Sequence, residues 1–169
     1  QSDLEWSINS YTLVFAGLLF TAGLLGDRLG RRRVLMTGLV IFGIASLASA
    51  YSQTPGQLIG ARALMGLGAA AIMPATLAII SNVFDPRERG RAIGLWTAGT
   101  SATLIAGPLV GGALVQMIDW RAAFLINVPL VLLALWPAAA IEESRDENAS
   151  GAFDWLGAAV IAIGVGGLA

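Results

Sequence analysis

The sequence predicts an all-α, polytopic membrane protein, and three observations carry that prediction. First, 56% of the 169 residues are apolar and only 12% are charged, whereas a soluble domain carries about 25% charge. Second, the charges are gathered into short patches: residues 6–26, 34–61, 63–84, 92–118 and 122–141 contain no Asp, Glu, Lys or Arg. Third, these stretches are 20 to 28 residues long, and a hydrocarbon core about 30 Å thick needs roughly 20 helical residues to cross it. A soluble domain with this pattern would need nearly every helix to be apolar all round, more than a chain of this length can hide from water.

The elements follow in order. After a leader holding Asp3 and Glu5, a first span is expected over about 7–26. The "GDRLGRRR" turn leads to a second over about 34–51, and the polar loop "AYSQTPGQ" to a third over about 57–80. "NVFDPRERGR" precedes a fourth over about 92–114, and "QMIDWR" a fifth over about 121–141. Residues 1–141 therefore read as one transmembrane bundle, 142–154 as a loop, and 155–169 as the start of a further, truncated span. Beginning at Gln1 without a Met and ending inside an apolar run, the chain reads as part of a longer one. Trp6, Tyr51, Trp120 and Trp136 fall near span ends, where aromatic rings anchor at the bilayer interface.

Composition excludes several chemistries. With no Cys there is neither a disulfide framework nor a thiolate metal site, and no His is present for acid–base work near neutral pH. With no Lys, a GxxxxGK[ST] phosphate loop cannot form. No span contains Asp or Glu. The chain is not expected to be an enzyme, and no cofactor or metal is expected.

Orientation comes from the arginines. Arg28, Arg31, Arg32, Arg33, Arg87, Arg89, Arg91 and Arg145 fall on alternate connections, and the other connections hold only Arg121. The positive-inside rule places the eight in the cytoplasm, so the first span runs inward. Nucleic acid is not an expected partner, since the turn is too short to lie along a duplex and the net charge is −1. Interaction with an anionic leaflet is compatible with the patch, but charge alone explains neither Asp27 nor the glycines.

Three motifs carry the functional reading. The first is Gly23-x3-Asp27-Arg28-x-Gly30-x-Arg32-Arg33. Gly23 allows close helix approach, and Gly30 permits a tight reversal. Asp27, at a cytoplasmic helix end, is suited to meet an arginine or the positive N-terminus of another helix. This run resembles the loop signature between the second and third helices of the major facilitator superfamily and matches every defining position. The resemblance implies that Asp27 belongs to a latch holding the two halves of a transporter in one conformation. Arg31 occupies a free position of the motif.

The second motif is Leu58-x3-Arg62-x2-Met65-Gly66-x-Gly68-Ala69-Ala70. It resembles the family's fourth-helix pattern, with Met65 where glutamine is common. An arginine inside a span is costly unless paired or hydrated, which marks Arg62 as a functional candidate. Two roles fit it: snorkelling to the outer interface, about 9 Å away along the helix, or tuning the pKa of a carboxylate for proton coupling. The resemblance implies that such an acid belongs to a first helix preceding this chain. Gly66 and Gly68 are expected to pack closely against neighbouring helices.

The third motif, Thr103-x3-Gly107-Pro108-x2-Gly111-Gly112, resembles the fifth-helix signature of the family's antiporters, with Thr103 replacing its first glycine. Pro108 removes a helix hydrogen bond, and Gly107, Gly111 and Gly112 leave a smooth face suited to a gate. "DWRAAFLINVPL" and "FDWLGAAVIAIG" resemble later helices of the fourteen-helix drug:proton antiporters, and the short loop between them favours those over twelve-helix members.

The resemblance implies a multi-pass protein of a bacterial plasma or inner membrane, exporting amphipathic or cationic small molecules by alternating access. The proton gradient would supply the energy, the lipid bilayer would be its setting, and the full-length protein would act as a monomer. The alternatives are an importer on the same fold and a non-transporting receptor or scaffold.

Overall fold

The computed structural model describes residues 2–145 together with Val160 and Gly164. The expected loop over 142–154 lies mostly, and the further span over 155–169 almost entirely, outside the described residues.

The helices are α1 (Ser2–Leu29), α2 (Arg31–Ala50), α3 (Pro55–Val83), α4 (Pro86–Met117), α5 (Ala122–Leu125) and α6 (Asn127–Ala140). Taking Ala122–Ala140 as one unit, five helices are long and apolar enough to cross a membrane. The helices run beyond the charge-free stretches. Asp27 and Arg28 lie on α1, Arg31 opens α2, and α4 begins at Pro86. Charge ends the apolar stretch, whereas helical hydrogen bonding continues wherever the backbone allows it. Among the described residues the fifth segment differs most from a single uninterrupted span, dividing at Ile126 into α5 and α6.

Local chemistry sets the helix starts. Pro55 and Pro86 sit in the first turns of α3 and α4, where a missing N–H costs nothing. Thr54 caps α3 by accepting from Gln57 N at 3.3 Å, while Gln57 Oε1 accepts from Gln53 N at 2.8 Å. This reciprocal pair approximates a capping box.

Helix α3 is the centre of the bundle, flanked by α1 and α2, and α2 also packs on α6. Glycines set these crossings. A Cβ at Gly66 would fall 2.5 Å from the Tyr11 carbonyl oxygen of α1, and one at Gly68 would fall 2.8 Å from the Gly38 carbonyl oxygen of α2. Backbones approach this closely only where side chains are absent. A core of Leu35, Leu39, Ala75, Ile79, Val131 and Ala138 fills the space between α2, α3 and α6. Within this region Ser46 is fully buried, donating to Phe124 O at 2.8 Å and accepting from Asn127 Nδ2 at 3.0 Å. That linkage satisfies a polar cluster at the α5–α6 break. Among the described residues helix α4 stands apart, with no buried residue and only slight contact with α3 and α5.

Candidate functional site

At the α1–α2 junction the connection is one residue, Gly30, with φ 110° and ψ 128°. No non-glycine described residue has positive φ. The break leaves the first amides of α2 without helical partners, and Gly30 has no side chain to cap them. The chain just beyond α6 supplies the acceptors. Ser144 O accepts from Arg31 N at 2.9 Å. Glu143 Oε1 accepts from Arg32 N at 3.1 Å and Glu143 Oε2 from Arg33 N at 3.3 Å. Glu143 Oε2 also lies 3.5 Å from Arg33 Nε. A carboxylate at a helix N-terminus is doubly favourable, because it accepts orphan N–H bonds and meets the positive end of the helix dipole. Gly30 serves this cap twice: its backbone angle would strain any other residue, and a Cβ there would fall 2.5 Å from the Glu143 carboxylate.

Asp27 faces another partner. Its Oδ1 accepts from Arg31 Nε at 3.0 Å and from Arg31 Nη2 at 2.8 Å, across the helix break. The Asp27 side chain remains 38% exposed. It sits beside Gly23 and Pro74 in a cleft of about 330 Å³ also lined by Leu19, Phe20 and Leu24. A Cβ at Gly23 would make ordinary contact with Pro74. The structure therefore gathers Gly23, Asp27, Arg28, Gly30, Arg32 and Arg33 at one end of the bundle. It adds Arg31 and Glu143, neither of which the motif defines. No sequence signal links Glu143 to position 30, since they are more than a hundred residues apart. Arg31 was legible only through its i+4 spacing from Asp27, a helical neighbour relation that the glycine between them obscures.

Arg62 lies toward the opposite end. Its Nε donates to Ser7 O of α1. The guanidinium carbon is 5.3 Å from the centre of the Tyr11 ring and 6.0 Å from that of Phe124. Among the described residues Arg62 has no ion pair, so its immediate partners are a carbonyl and two aromatic faces. Ser10 Oγ reaches Ile59 O at 3.2 Å nearby, tying α1 to α3 a second time. Met65 is buried and accepts a weak hydrogen bond from Ser49 Oγ at 3.4 Å.

The α4 motif is arranged differently from the Gly66 and Gly68 crossings. A Cβ at Gly107, Gly111 or Gly112 would meet nothing within 4 Å. Gly107 and Gly111 border a groove of about 410 Å³ between α4 and the Ala123–Leu130 segment. These three motifs do not converge on one centre: the α1–α2 junction residues, Arg62 and the α4 glycines occupy separate places on the bundle. Among the described residues no group of His, Cys, Asp and Glu has metal-ligating geometry.

A match to the Major Facilitator Superfamily spans residues 1–167. The chain belongs to the major facilitator superfamily. The family is one of transporters rather than enzymes. The chain is 47% identical over 135 residues to the methyl viologen resistance protein SmvA of Salmonella typhimurium, covering 79% of this chain and 27% of that protein. It is 45% identical over 152 residues to the multidrug efflux pump LfrA of Mycolicibacterium smegmatis, covering 88% and 30%. Against the tetracenomycin C resistance and export protein of Streptomyces glaucescens the identity is 38% over 157 residues, covering 92% and 29%. The chain thus spans about three-tenths of the length of these curated relatives.

Proposed function

We propose that the protein to which this segment belongs is a proton-driven antiporter of a bacterial plasma membrane, exporting amphipathic or cationic drugs by alternating access. The relatives' names supply the drug-resistance context. The structural observation that carries the coupling is Arg62, a cation within a membrane helix held by Ser7 O and aromatic rings rather than by a described acid. Guanidinium stays charged at working pH, so Arg62 does not itself carry protons. It would instead stabilise the charged form of a carboxylate brought beside it by another helix, favouring proton release. Alternating access requires two bundles to rock against each other. Asp27, partly exposed in its cleft and held by Arg31, would meet a second bundle at the cytoplasmic end. The unpacked α4 face would give that bundle a smooth surface to move along. The fifth-helix pattern and the fourteen-helix resemblance favour export over import.

The test is dye efflux from cells making the full-length protein. Efflux that stops when a protonophore collapses the gradient supports the proposal. Dye accumulation above that of cells lacking the protein would indicate an importer, and no flux in either direction would indicate a receptor or scaffold.

A further inference from the structure

A second groove of about 440 Å³ lies between α1 and α2 and is floored by α3. Its lining is almost wholly apolar. Leu25 and Leu29 come from α1, Thr37 and Ile41 from α2, and Leu67 and Ala71 from α3. It forms because α1 and α2 both pack tightly on α3 but only lightly on each other. Among the described residues its one charged lining residue is Arg33, whose side chain is 76% exposed. From Arg33 to Ile41 the groove runs about 12 Å along α2, starting at the end of the bundle that holds the arginine cluster.

Two observations say what covers it. The first is its position on α1. Leu25 and Leu29 each lie two residues beyond Gly23 and Asp27, which places them about 200° around a helix from the Asp27 cleft. On the reading of Asp27 as a latch toward a second bundle, this groove faces the other way, into lipid. The second is charge complementarity. Arg33 lines its inner end, directly after Arg31 and Arg32 in the chain. Asp27 is occupied by Arg31, and Glu143 by the α2 amides. Glu143 Oε2 lies 3.5 Å from Arg33 Nε and leaves the guanidinium exposed at the mouth. An apolar channel ending at an exposed guanidinium matches one lipid chemistry: a hydrocarbon chain attached to a phosphate with net negative charge.

We infer that this groove binds an anionic phospholipid of the inner leaflet, one acyl chain lying between α1 and α2 and its phosphate accepting from Arg33. The site holds the lipid at the same guanidinium that Glu143 touches, so lipid occupancy and the α2 cap share a residue.

The experiment uses the full-length protein in nanodiscs of equal phosphatidylglycerol and phosphatidylcholine. The photocrosslinker benzoylphenylalanine replaces Leu67 on the groove floor, and lipid adducts are identified by mass. Phosphatidylglycerol adducts should exceed phosphatidylcholine adducts about fivefold, the preference expected from one arginine at an anionic headgroup. Arg33→Gln should bring the ratio close to one while total lipid adducts persist, and Arg33→Lys should restore most of it. Thr37→Phe, which fills the groove from an exposed wall, should reduce adducts of both lipids. Equal labelling of the two lipids with Arg33 intact would overturn the inference, as would cross-links only to another helix of the protein. Because the adducts are read without transport, a failed efflux assay refutes the antiporter and leaves the lipid ratio standing.

Discussion

Replacing Gly30 with alanine tests the link between the loop motif and the chain beyond α6. At φ 110° and ψ 128° a Cβ is strained whatever the surrounding space, at a cost of about 1–3 kcal/mol. The same Cβ would fall 2.5 Å from the Glu143 carboxylate. That carboxylate ends a flexible side chain and would swing away rather than force the backbone apart. The additional loss is then the cap on Arg32 N and Arg33 N, about 1 kcal/mol for a helix N-cap. Gly30→Ala should therefore destabilise by about 2–4 kcal/mol, and Glu143→Ala by about 1 kcal/mol. The double variant should cost about 1 kcal/mol less than the sum, because alanine at position 30 has already displaced the cap that Glu143→Ala removes. The assay is reversible unfolding of the purified full-length protein in mixed detergent micelles, with all four proteins measured in parallel. Additive costs would refute the coupling. A Gly30→Ala protein as stable as the original would refute both the strain and the cap.

Other substitutions separate the remaining roles. Asp27→Asn should insert normally but slow dye efflux, since the change costs little at a helix end and removes the proposed latch charge; wild-type efflux at equal expression would reduce Asp27 to a turn residue. Arg31→Gln, mild if position 31 is simply a free motif position, should impair efflux measurably because Arg31 holds Asp27 at 2.8 Å, and an efflux rate equal to wild type would show that this pair is dispensable. Gly68→Ala places a Cβ 2.8 Å from the Gly38 carbonyl oxygen and should lower thermal stability in detergent, whereas Gly111→Ala, with nothing within 4 Å, should leave stability within about 0.5 kcal/mol and change efflux instead. Arg62→Lys keeps the charge but loses the planar fork, so the pH optimum of efflux should move, while Arg62→Ala should raise the partner acid's pKa and stop coupled efflux with substrate binding retained; an unchanged pH profile for Arg62→Lys would reduce Arg62 to a snorkelling residue.

Much of the architecture was legible because bilayer thickness acts on the chain one segment at a time. A stretch such as 63–84, with no charged residue, is long enough to span whatever its neighbours are. The arginine asymmetry between connections is likewise a property of local composition. Helix ends were less legible. α1 carries Asp27 and Arg28, and α4 begins at Pro86, because charge and helical hydrogen bonding answer to different constraints.

Motif spacing pointed to the residues of the α1–α2 junction but not to their partners. Arg31 occupies a free motif position, yet the fold directs it to Asp27, because α2 starts immediately after Gly30 and brings the i+4 neighbours together. Glu143 was one acid in a charged loop until the end of α6 met the start of α2. No sequence period relates it to Arg32 and Arg33, since their contact depends on how α2 packs on α6. The same holds for Ser46 and Asn127, ordinary small polar residues in sequence that become a hydrogen-bonded, partly buried pair where α5 breaks. Glycine spacing could not distinguish the crossings at Gly66 and Gly68 from the open face at Gly107 and Gly111, although both patterns look alike on a helix. Only the positions of α1 and α2 against α3 decide which glycines meet another backbone. The sequence by itself determined that the described residues form five apolar helices long enough to span, and which residues stand at their ends. The tertiary structure decided which of those residues touch, because such contacts depend on helices distant along the chain meeting at particular ends and faces.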